Sequence, residues 1–449
     1  MSVKNTKITD GSLLTGLFSL ATPMLVQALL QNLQSMIDLY FVGNLGSSAV
    51  AAVSGSGTIL FVLTPFMMGA SVGIIAMVSR FTGQGRHDMA AKTAGQVLII
   101  SLFFGLLVAL AGFFFKRQIF EWMNTPEDVI QAGLSYLNIS LTCSFTIFIL
   151  FLGNAAMQGV GDAWTPMKVM ALSNIINIVL DPLMIYGIGP FPRMGVVGAA
   201  WATVIAQASA AAMSLWLLSN GKVHLKLRLT DWKPNLNLCW RITKIGLPGA
   251  GQMLLRSLMN AVMFRIVAPF GTPPLAGYSI ATRLNMMILM PAFSFGNASA
   301  TMVGQNLGAG RPERAEQAAW LAVRIEAIVM VLASILMLTQ APFFLKIFLT
   351  SDPEAVQVGS EYFRVEGLVY IFSAFSIILS RALGGAGASL GPFIINAFAL
   401  WGIQVPLAHI MAPRYGTTGI WIAMAFTQVV YGMITVIWFK MGTWKHKKV

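Results

Sequence analysis

The sequence predicts an all-α integral membrane protein in which twelve transmembrane helices form two six-helix lobes related by a parallel repeat. Of its 449 residues, 56% are hydrophobic and only 10% are charged. The mean hydropathy of +0.74 lies far above that of soluble globular proteins. Apolar runs long enough to cross about 30 Å of hydrocarbon recur along the chain, and the pattern of the first half returns in the second.

Twelve such runs can be placed, six on each side of a basic linker at residues 221–240. The first six lie near residues 14–42, 51–79, 91–115, 133–158, 166–186 and 195–220. The second six lie near residues 242–268, 278–303, 317–341, 365–381, 391–410 and 419–440. We therefore predict an N-terminal lobe at residues 1–220 and a C-terminal lobe at residues 241–449.

The basic residues predict the orientation of the spans, because cytoplasmic loops of membrane proteins hold an excess of lysine and arginine. With both termini in the cytoplasm, 19 of the 29 basic residues lie on the cytoplasmic side and five lie outside. Topology thereby explains the net charge of +13, which argues against nucleic-acid binding. We expect a monomeric, multi-pass protein of the plasma (inner) membrane that contacts the lipid bilayer.

The two halves repeat at an offset of about 225 residues. The stretch "VSRFTGQGRHDMA" from Val78 aligns with "VGQNLGAGRPERA" from Val303, and the same offset pairs Pro23 with Pro248. Each repeat has an even number of spans, so both halves cross the membrane in the same direction about an axis along its normal. Such lobes face each other across a central cleft and are typical of transport by alternating access.

Polar residues inside two spans indicate a functional site, since an ionised carboxylate at membrane depth costs several kcal/mol and usually faces the protein interior. The first span carries a stripe with steps of four, three and four residues, Gln27, Gln31, Gln34 and Asp38. The fifth span carries a stripe with steps of three and four, Asn174, Asn177 and Asp181. Both aspartates come late in outward-running spans, so we expect them at similar depth.

Two further residues extend this set. Thr203 on the sixth span reaches a depth comparable to the aspartates, while Asn154 on the fourth lies closer to the cytoplasm. Two neighbouring buried carboxyls can share a proton, and oxygen ligands can equally hold a hard cation. We predict that a coupling cation binds at Asp38, Asp181, Asn177, Thr203 and Asn154, with Na⁺ at the first four if the ion is not a proton. No other cofactor is expected.

Other polar residues predict a path for a substrate and points of bending. The candidates that could line a substrate cleft are Gln34, Gln31, Asn174, Arg256, Arg283 and Glu366. Pro182 follows Asp181 directly and deletes a helical hydrogen bond, and Pro23 does the same in the first span. We expect these two helices to bend there.

Several motifs carry a resemblance to a known family. They are "MIDLYFVGNLG" on the first span, "QGVGDAWTPMKVMALSNIINIVLDPLMIYG" around the fifth, "GVVGAAWAT" on the sixth and "MVGQNLGAGRPERA" after the eighth. Over essentially the whole chain the sequence resembles the multidrug and toxic compound extrusion (MATE) family. The resemblance implies export of bulky, often cationic or amphipathic small molecules against Na⁺ or H⁺.

The resemblance also bears on the site residues. One branch of the family places its cation site in the N-terminal lobe, with two aspartates, an asparagine and a threonine, and the matching positions here are Asp38, Asp181, Asn177 and Thr203. Asn154 looks like another member of that network. Another branch carries acids on the seventh helix, where this chain offers arginine and no carboxylate.

Two other functions remain open on the sequence. A flippase for lipid-linked precursors would resemble the same architecture, but it predicts a strongly cationic cleft and often extra helices. A membrane-embedded enzyme would need a nucleophile with a base or clustered metal ligands, and no such motif stands out, so we expect no enzymatic activity. The residues do not distinguish Na⁺ from H⁺ and do not identify the exported compound.

Overall fold

The computed structural model describes residues 8–122, 125–221, 223, 225–350 and 352–447. Over these residues the structure is helical, apart from one isolated antiparallel bridge between Val223 and Leu225. The all-α prediction is confirmed. Helices are the expected form for such apolar segments because hydrocarbon offers no partner to a backbone N–H or C=O group.

The helices have the following bounds. In the first half they are α1 (Leu13–Gly43), α2 (Ser47–Phe61), α3 (Thr64–Gly83), α4 (His87–Trp122), α5 (Glu127–Thr142), α6 (Ser144–Gly159), α7 (Trp164–Tyr186) and α8 (Val196–Ser219). In the second half they are α9 (Leu236–Val267), α10 (Thr272–Gly308), α11 (Pro312–Lys346), α12 (Pro353–Glu366), α13 (Tyr370–Gly385), α14 (Leu390–Ala397) and α15 (Val405–Lys440). A π-helical segment, Phe398–Gln404, joins α14 to α15.

The predicted twelve spans are recovered once three breaks are taken into account. Ten helical runs of the described residues are long and apolar enough to cross a membrane, and α5 with α6, bent by 49°, forms an eleventh. The run Leu390–Lys440 is 51 residues long and contains Gly416 in a non-helical conformation, with φ 61° and ψ −147°. This glycine divides the run into two spans. In the second predicted span, α2 ends at Phe61 and α3 begins at Thr64, with a proline in its first turn.

The contacts divide the chain into two compact units. We call residues 22–244 the N-terminal unit and residues 8–21 with 245–447 the C-terminal unit. Two helices change unit along their length: α1 does so between Ala21 and Thr22, and α9 between Lys244 and Ile245. Pro23 and Pro248 lie within α1 and α9, close to these points, where each removes one helical hydrogen bond.

The helix α9 begins earlier than its predicted span. Asn235 accepts a hydrogen bond through Oδ1 from the Leu238 backbone N–H at 3.1 Å, which caps the first turn. The last residues of the predicted linker therefore already belong to the helix. Lys222 and His224 of that linker lie outside the described residues.

Candidate cation site in the N-terminal unit

A tight hairpin between α7 and α8 positions two of the predicted site residues. Gly187 ends α7 in the left-handed conformation, with φ 76°, which a glycine adopts without steric cost. Close packing follows at Gly198 on α8, where a methyl group would lie 2.9 Å from the Ile185 backbone nitrogen. Because the two helices run antiparallel in such close contact, Asp181 on α7 and Thr203 on α8 come to face each other.

Two hydrogen bonds set the register of α1 against α7. Asn174 Nδ2 donates to the Leu30 carbonyl at 2.7 Å, and Tyr186 Oη donates to the Phe41 carbonyl at 2.7 Å. The first pair is separated by 144 residues and the second by 145. The two helices therefore run parallel with a constant offset, which places Asp38 beside Asp181. The similar depth predicted for the two aspartates rests on this register.

The four residues predicted to hold Na⁺ come together at this level. The Asp38 carboxyl lies within hydrogen-bonding reach of Asp181, Asn177 and Thr203. Asn177 Nδ2 donates to Asp181 Oδ1 at 3.3 Å. The Thr203 hydroxyl is within hydrogen-bonding distance both of the Ala199 carbonyl, at 2.9 Å, and of the Asp38 carboxyl, and it can donate its single proton to only one of them at a time. We call these four residues the carboxylate cluster.

The carboxylate cluster is rich in acceptors and poor in donors. Asp181 and Asn177 are completely buried, and Asp38 and Thr203 are partly buried. Three of its oxygens are sealed from solvent without a hydrogen-bond partner: Asp38 Oδ1, Asp181 Oδ2 and Asn177 Oδ1. An unpaired buried polar atom costs roughly 1–3 kcal/mol, and more when it is charged. A proton or a cation at this position would satisfy several of these oxygens at once.

Tyr136 is a neighbour of the cluster that the sequence reasoning missed. This α5 residue is only 7% exposed, and its phenol lies near Thr203 and within electrostatic reach of both aspartates. Tyr136 falls at the outer end of the predicted fourth span, at the depth expected for the aspartates. Counting residues from the end of the fourth span would have placed Tyr136 beside the aspartates if tyrosines had been considered together with carboxylates and amides.

Asn154 lies apart from the carboxylate cluster. It is buried on α6 and its Oδ1 has no hydrogen-bond partner. Its neighbour Gly153 packs against the Ser214 side chain on α8, and Ser214 is eleven residues beyond Thr203. That interval spans roughly 16 Å of helix. The structure thus agrees with the depth predicted for Asn154 and does not bring it into contact with the other four residues.

Polar groups continue from the cluster towards the start of α1. Gln34 is nearly buried, and the Asn174 Oδ1 atom is sealed without a partner. Further along, Gln158 Nε2 donates to Gln27 Oε1 at 3.2 Å. Pro182 leaves the Ile178 carbonyl without its helical donor, one turn before the buried carboxyl. A column of polar groups therefore runs along α1 and α7, through an otherwise apolar unit.

A cavity of about 220 Å³ adjoins the cluster. Thr203 and Tyr136 belong both to its wall and to the surroundings of the aspartates. Its other polar lining residues are Gln31, Thr64, Ser140, Ser144 and Gln207, and its apolar lining includes Phe61, Met67 and Phe151. The cavity carries no basic side chain, so it fits neutral or cationic amphipathic groups.

The remaining predicted residues belong to the C-terminal unit. Glu366 is almost buried at the end of α12, among the phenols of Tyr278, Tyr362 and Tyr370. Arg283 on α10 is exposed, and Arg256 on α9 is partly buried. Among the described residues, no three His, Cys, Asp or Glu side chains are grouped so that they could hold a metal ion.

Comparison with known proteins agrees with this architecture. The MatE family model matches the chain twice, at residues 23–183 and 248–410, with the two matches starting at the offset of the repeat. A "Probable multidrug resistance protein YoeA" from Bacillus subtilis is 27% identical, over 93% of this chain and 92% of the relative. A "Probable multidrug resistance protein NorM" from Thermotoga maritima is 26% identical, over 96% and 93%. An "FAD transporter" from Shewanella oneidensis is 27% identical, over 89% and 88%.

Solved structures share the fold. A crystal structure of "MATE in the bent conformation" superposes with a TM-score of 0.90 at 23% identity, covering 98% of both chains. A "MOP superfamily transporter from Pyrococcus furiosus" superposes with a TM-score of 0.89 at 24% identity, covering all of both chains. The two family matches together cover well over half of the chain, and the members of this family are transporters. The chain belongs to the MatE family and is a membrane transporter, not an enzyme.

Proposed function

We propose that this transporter exports small organic compounds by antiport, driven by a cation that binds at Asp38 and Asp181. The observation that carries the proposal is the set of sealed, unpartnered oxygens in the carboxylate cluster. No lysine, arginine or histidine of the described residues forms a salt bridge with either aspartate. The compensating charge must therefore come from outside the chain.

Either H⁺ or Na⁺ can supply this charge. A single proton held between two neighbouring carboxyls neutralises one of their two negative charges and supplies one hydrogen-bond donor. A Na⁺ ion would use the same carboxyl, amide and hydroxyl oxygens as ligands. In either case, moving one charge through the membrane potential supplies about 2.3 kcal/mol per 100 mV. For an uncharged substrate this can drive export when it is coupled to release, whereas one-for-one exchange with a monovalent organic cation moves no net charge and would draw on the concentration gradient of the coupling ion.

Coupling requires the cation and the substrate to act on the same residues. Thr203 and Tyr136 meet this condition because they contact the carboxylate cluster and also line the neighbouring cavity. Cation binding would draw the aspartates together and shift α1 and α7, in which Pro23 and Pro182 each remove a helical hydrogen bond and so favour bending. The cavity would thereby change shape between its two states, as alternating access requires.

The chemistry of the cavity and the relatives support a broad substrate range. Aromatic, methionine and amide side chains line the cavity, and such a lining is adaptable and suits the apolar and polar parts of amphipathic compounds. Two of the relatives are named as multidrug resistance proteins. A nucleotide-like anion is a second candidate, favoured by the relative named as an FAD transporter. We further propose a monomer in the plasma membrane. The distribution of basic residues supports a cytoplasmic position for both termini.

Efflux from proteoliposomes would test the proposal. A fluorescent organic cation is loaded, and a pH gradient or a Na⁺ gradient is imposed separately, on the wild type and on Asp38→Asn and Asp181→Asn. We expect one gradient to drive efflux and both variants to lose it. Asp88→Asn is the matched control, because Asp88 is an exposed aspartate outside the cluster. Efflux that ignores both gradients, or that survives both substitutions, would contradict the proposal and direct attention to lipid flipping.

A further inference from the structure

The C-terminal unit contains two partly buried arginines, Arg256 and Arg381, that lie within electrostatic reach of each other. Arg381 lies on α13 and is partly buried, with its guanidinium 5.7 Å from the centre of the Phe293 ring on α10. Arg256 on α9 lies within electrostatic reach of Arg381. Phe293 is close to the middle of the 37-residue α10, so the pair is far from the ends of that helix.

The backbone around Arg381 leaves room for its long side chain. A methyl group at Gly296 would lie 2.9 Å from Arg381 Cγ and 3.2 Å from its Cβ. Any residue larger than glycine would force the arginine to move. The side chain is therefore held against α10 in a defined position.

Neither guanidinium has an anionic partner. Over the part of the chain that the structure describes, Arg256 and Arg381 form no salt bridge and donate no hydrogen bond to another residue. The Tyr431 phenol lies near Arg381, and its hydroxyl is 3.3 Å from Ser380 Oγ. Two adjacent positive charges in a membrane protein repel each other and are costly to desolvate without a counter-ion.

The geometry leaves the hydrogen-bonding edge of Arg381 available. A guanidinium that lies over an aromatic ring uses its face for that contact, and its five N–H groups still point outwards in its plane. The Arg381 nitrogens are not among the sealed polar atoms of the described residues, so they keep some access to solvent. Planar donors of this kind match the oxygens of a carboxylate or phosphate, often in pairs.

The repeat gives an independent indication that this position meets a ligand. The offset that pairs Pro23 with Pro248 also pairs Gln31 with Arg256. Gln31 lines the cavity beside the carboxylate cluster in the N-terminal unit. The equivalent position of the C-terminal unit thus carries a cation in place of a neutral amide.

We propose that Arg256 and Arg381 form a binding site for an oxyanion, the phosphate or carboxylate group of an amphipathic molecule. The Phe293 ring and Tyr431 would contact the apolar part of that molecule. The oxyanion could belong to a soluble organic compound or to the headgroup of an anionic lipid. A role for the site in export rests on the proposed function, whereas binding itself does not.

Equilibrium binding to the purified full-length protein in detergent would test the site. The probe is 1-naphthyl phosphate, followed by fluorescence anisotropy, with 1-naphthol as its uncharged counterpart. We expect the phosphate to bind at least tenfold more tightly than the naphthol. Arg256→Gln and Arg381→Gln should each raise its Kd about tenfold or more, as expected for loss of a charge-assisted hydrogen bond.

Matched variants separate this effect from misfolding. Arg265→Gln removes an exposed arginine from the same helix as Arg256 and should leave the Kd unchanged. Should Arg381→Gln fail to fold, Arg256→Gln on α9, which does not touch the tight contact at Gly296, still provides the test. Asp38→Asn should abolish cation-driven efflux and leave binding of the phosphate intact, so the proposed function and the oxyanion site can fail separately.

A second arm distinguishes the source of the oxyanion. Native mass spectrometry records retention of dioleoylphosphatidylglycerol by the wild type and by the two arginine variants. Binding of the soluble probe supports a soluble ligand, while retention of the lipid alone, lost in both variants, supports a headgroup. The proposal is overturned if neither substitution weakens binding of the phosphate relative to the naphthol and neither lowers retention of the lipid.

Discussion

The two units share one sequence repeat, but matching positions carry carboxylates in the N-terminal unit and apolar side chains in the C-terminal unit. In the N-terminal unit, Asp38 and Asp181 meet in a buried cluster of oxygens. In the alignment of the two repeats, Met263 corresponds to Asp38. The pairing of Pro182 with Pro406 makes Val405 correspond to Asp181. Six helices can therefore pack in this arrangement without the carboxylates. The difference indicates that the aspartates serve function rather than the fold.

The C-terminal unit uses the corresponding region for packing. Met263 is 1% exposed and belongs to a core that includes Tyr278, Tyr362 and Trp421. Tyr278 stacks on Trp421 with ring centres 5.2 Å apart, and Tyr362 meets Trp421 edge to face at 5.4 Å. Such contacts add to the large apolar area that these side chains bury. At the aligned positions, one unit thus buries carboxylates where the other packs apolar side chains against aromatic rings.

The strongest test of this contrast compares Asp181→Asn with Trp421→Ala. Asp181→Asn keeps the volume and should reduce cation-driven efflux by about 100-fold or more, with little change in melting temperature, because the lost group binds the ion. Trp421 is completely buried, so Trp421→Ala should cost about 3–5 kcal/mol of stability. Thermal unfolding in detergent and efflux per folded molecule would be measured for both.

Two controls complete this comparison. Met263→Leu changes the shape of the C-terminal core but nearly keeps its volume, so it should cost less than about 1.5 kcal/mol and leave the driving ion unchanged. Trp421→Phe retains an aromatic ring and should recover part of the lost stability. A large loss of stability in Asp181→Asn, with normal efflux per folded molecule, would show that the carboxyl has a structural role.

The backbone of the hairpin gives the next test. Gly198→Ala would place a methyl group against α7 and should destabilise the N-terminal unit by about 1–3 kcal/mol, while moving Thr203 away from Asp181. Gly57→Ala on α2 is the matched control, since a methyl group there meets no atom within 4 Å. It should be neutral or stabilise the helix by about 0.5–1 kcal/mol. Equal melting temperatures and efflux in the two variants would refute the importance of the close packing.

Sequence periodicity predicted most of the fold and the centre of the site. The steps of three and four placed the polar residues of α1 and α7 on single faces, and the late position of both aspartates predicted their equal depth. The breaks at 62–63 and at Cys143 were missed because the hydrophobic run continues through them. The pairing of Arg256 with Arg381 was also missed. It depends on how residues of two helices distant in the sequence, α9 and α13, approach each other, which periodicity within one span does not predict.

The smallest predicted effect on efflux is that of replacing Tyr136, the tyrosine beside the carboxylate cluster. Tyr136→Phe keeps the ring in its buried place and removes one hydroxyl near Thr203 and the aspartates. All side-chain oxygens of the four cluster residues remain, so we expect efflux to fall only a few-fold, with a higher concentration of the driving cation needed for half-maximal rate. Ser140→Ala is the matched control, because it removes a hydroxyl from the cavity wall without an electrostatic link to the aspartates.

If Tyr136→Phe lowered the maximal rate and left the cation dependence unchanged, the phenol would act on the substrate in the cavity. A shift in the cation dependence alone would place it with the carboxylates, and would show that the contrast between the units extends beyond the charged residues themselves.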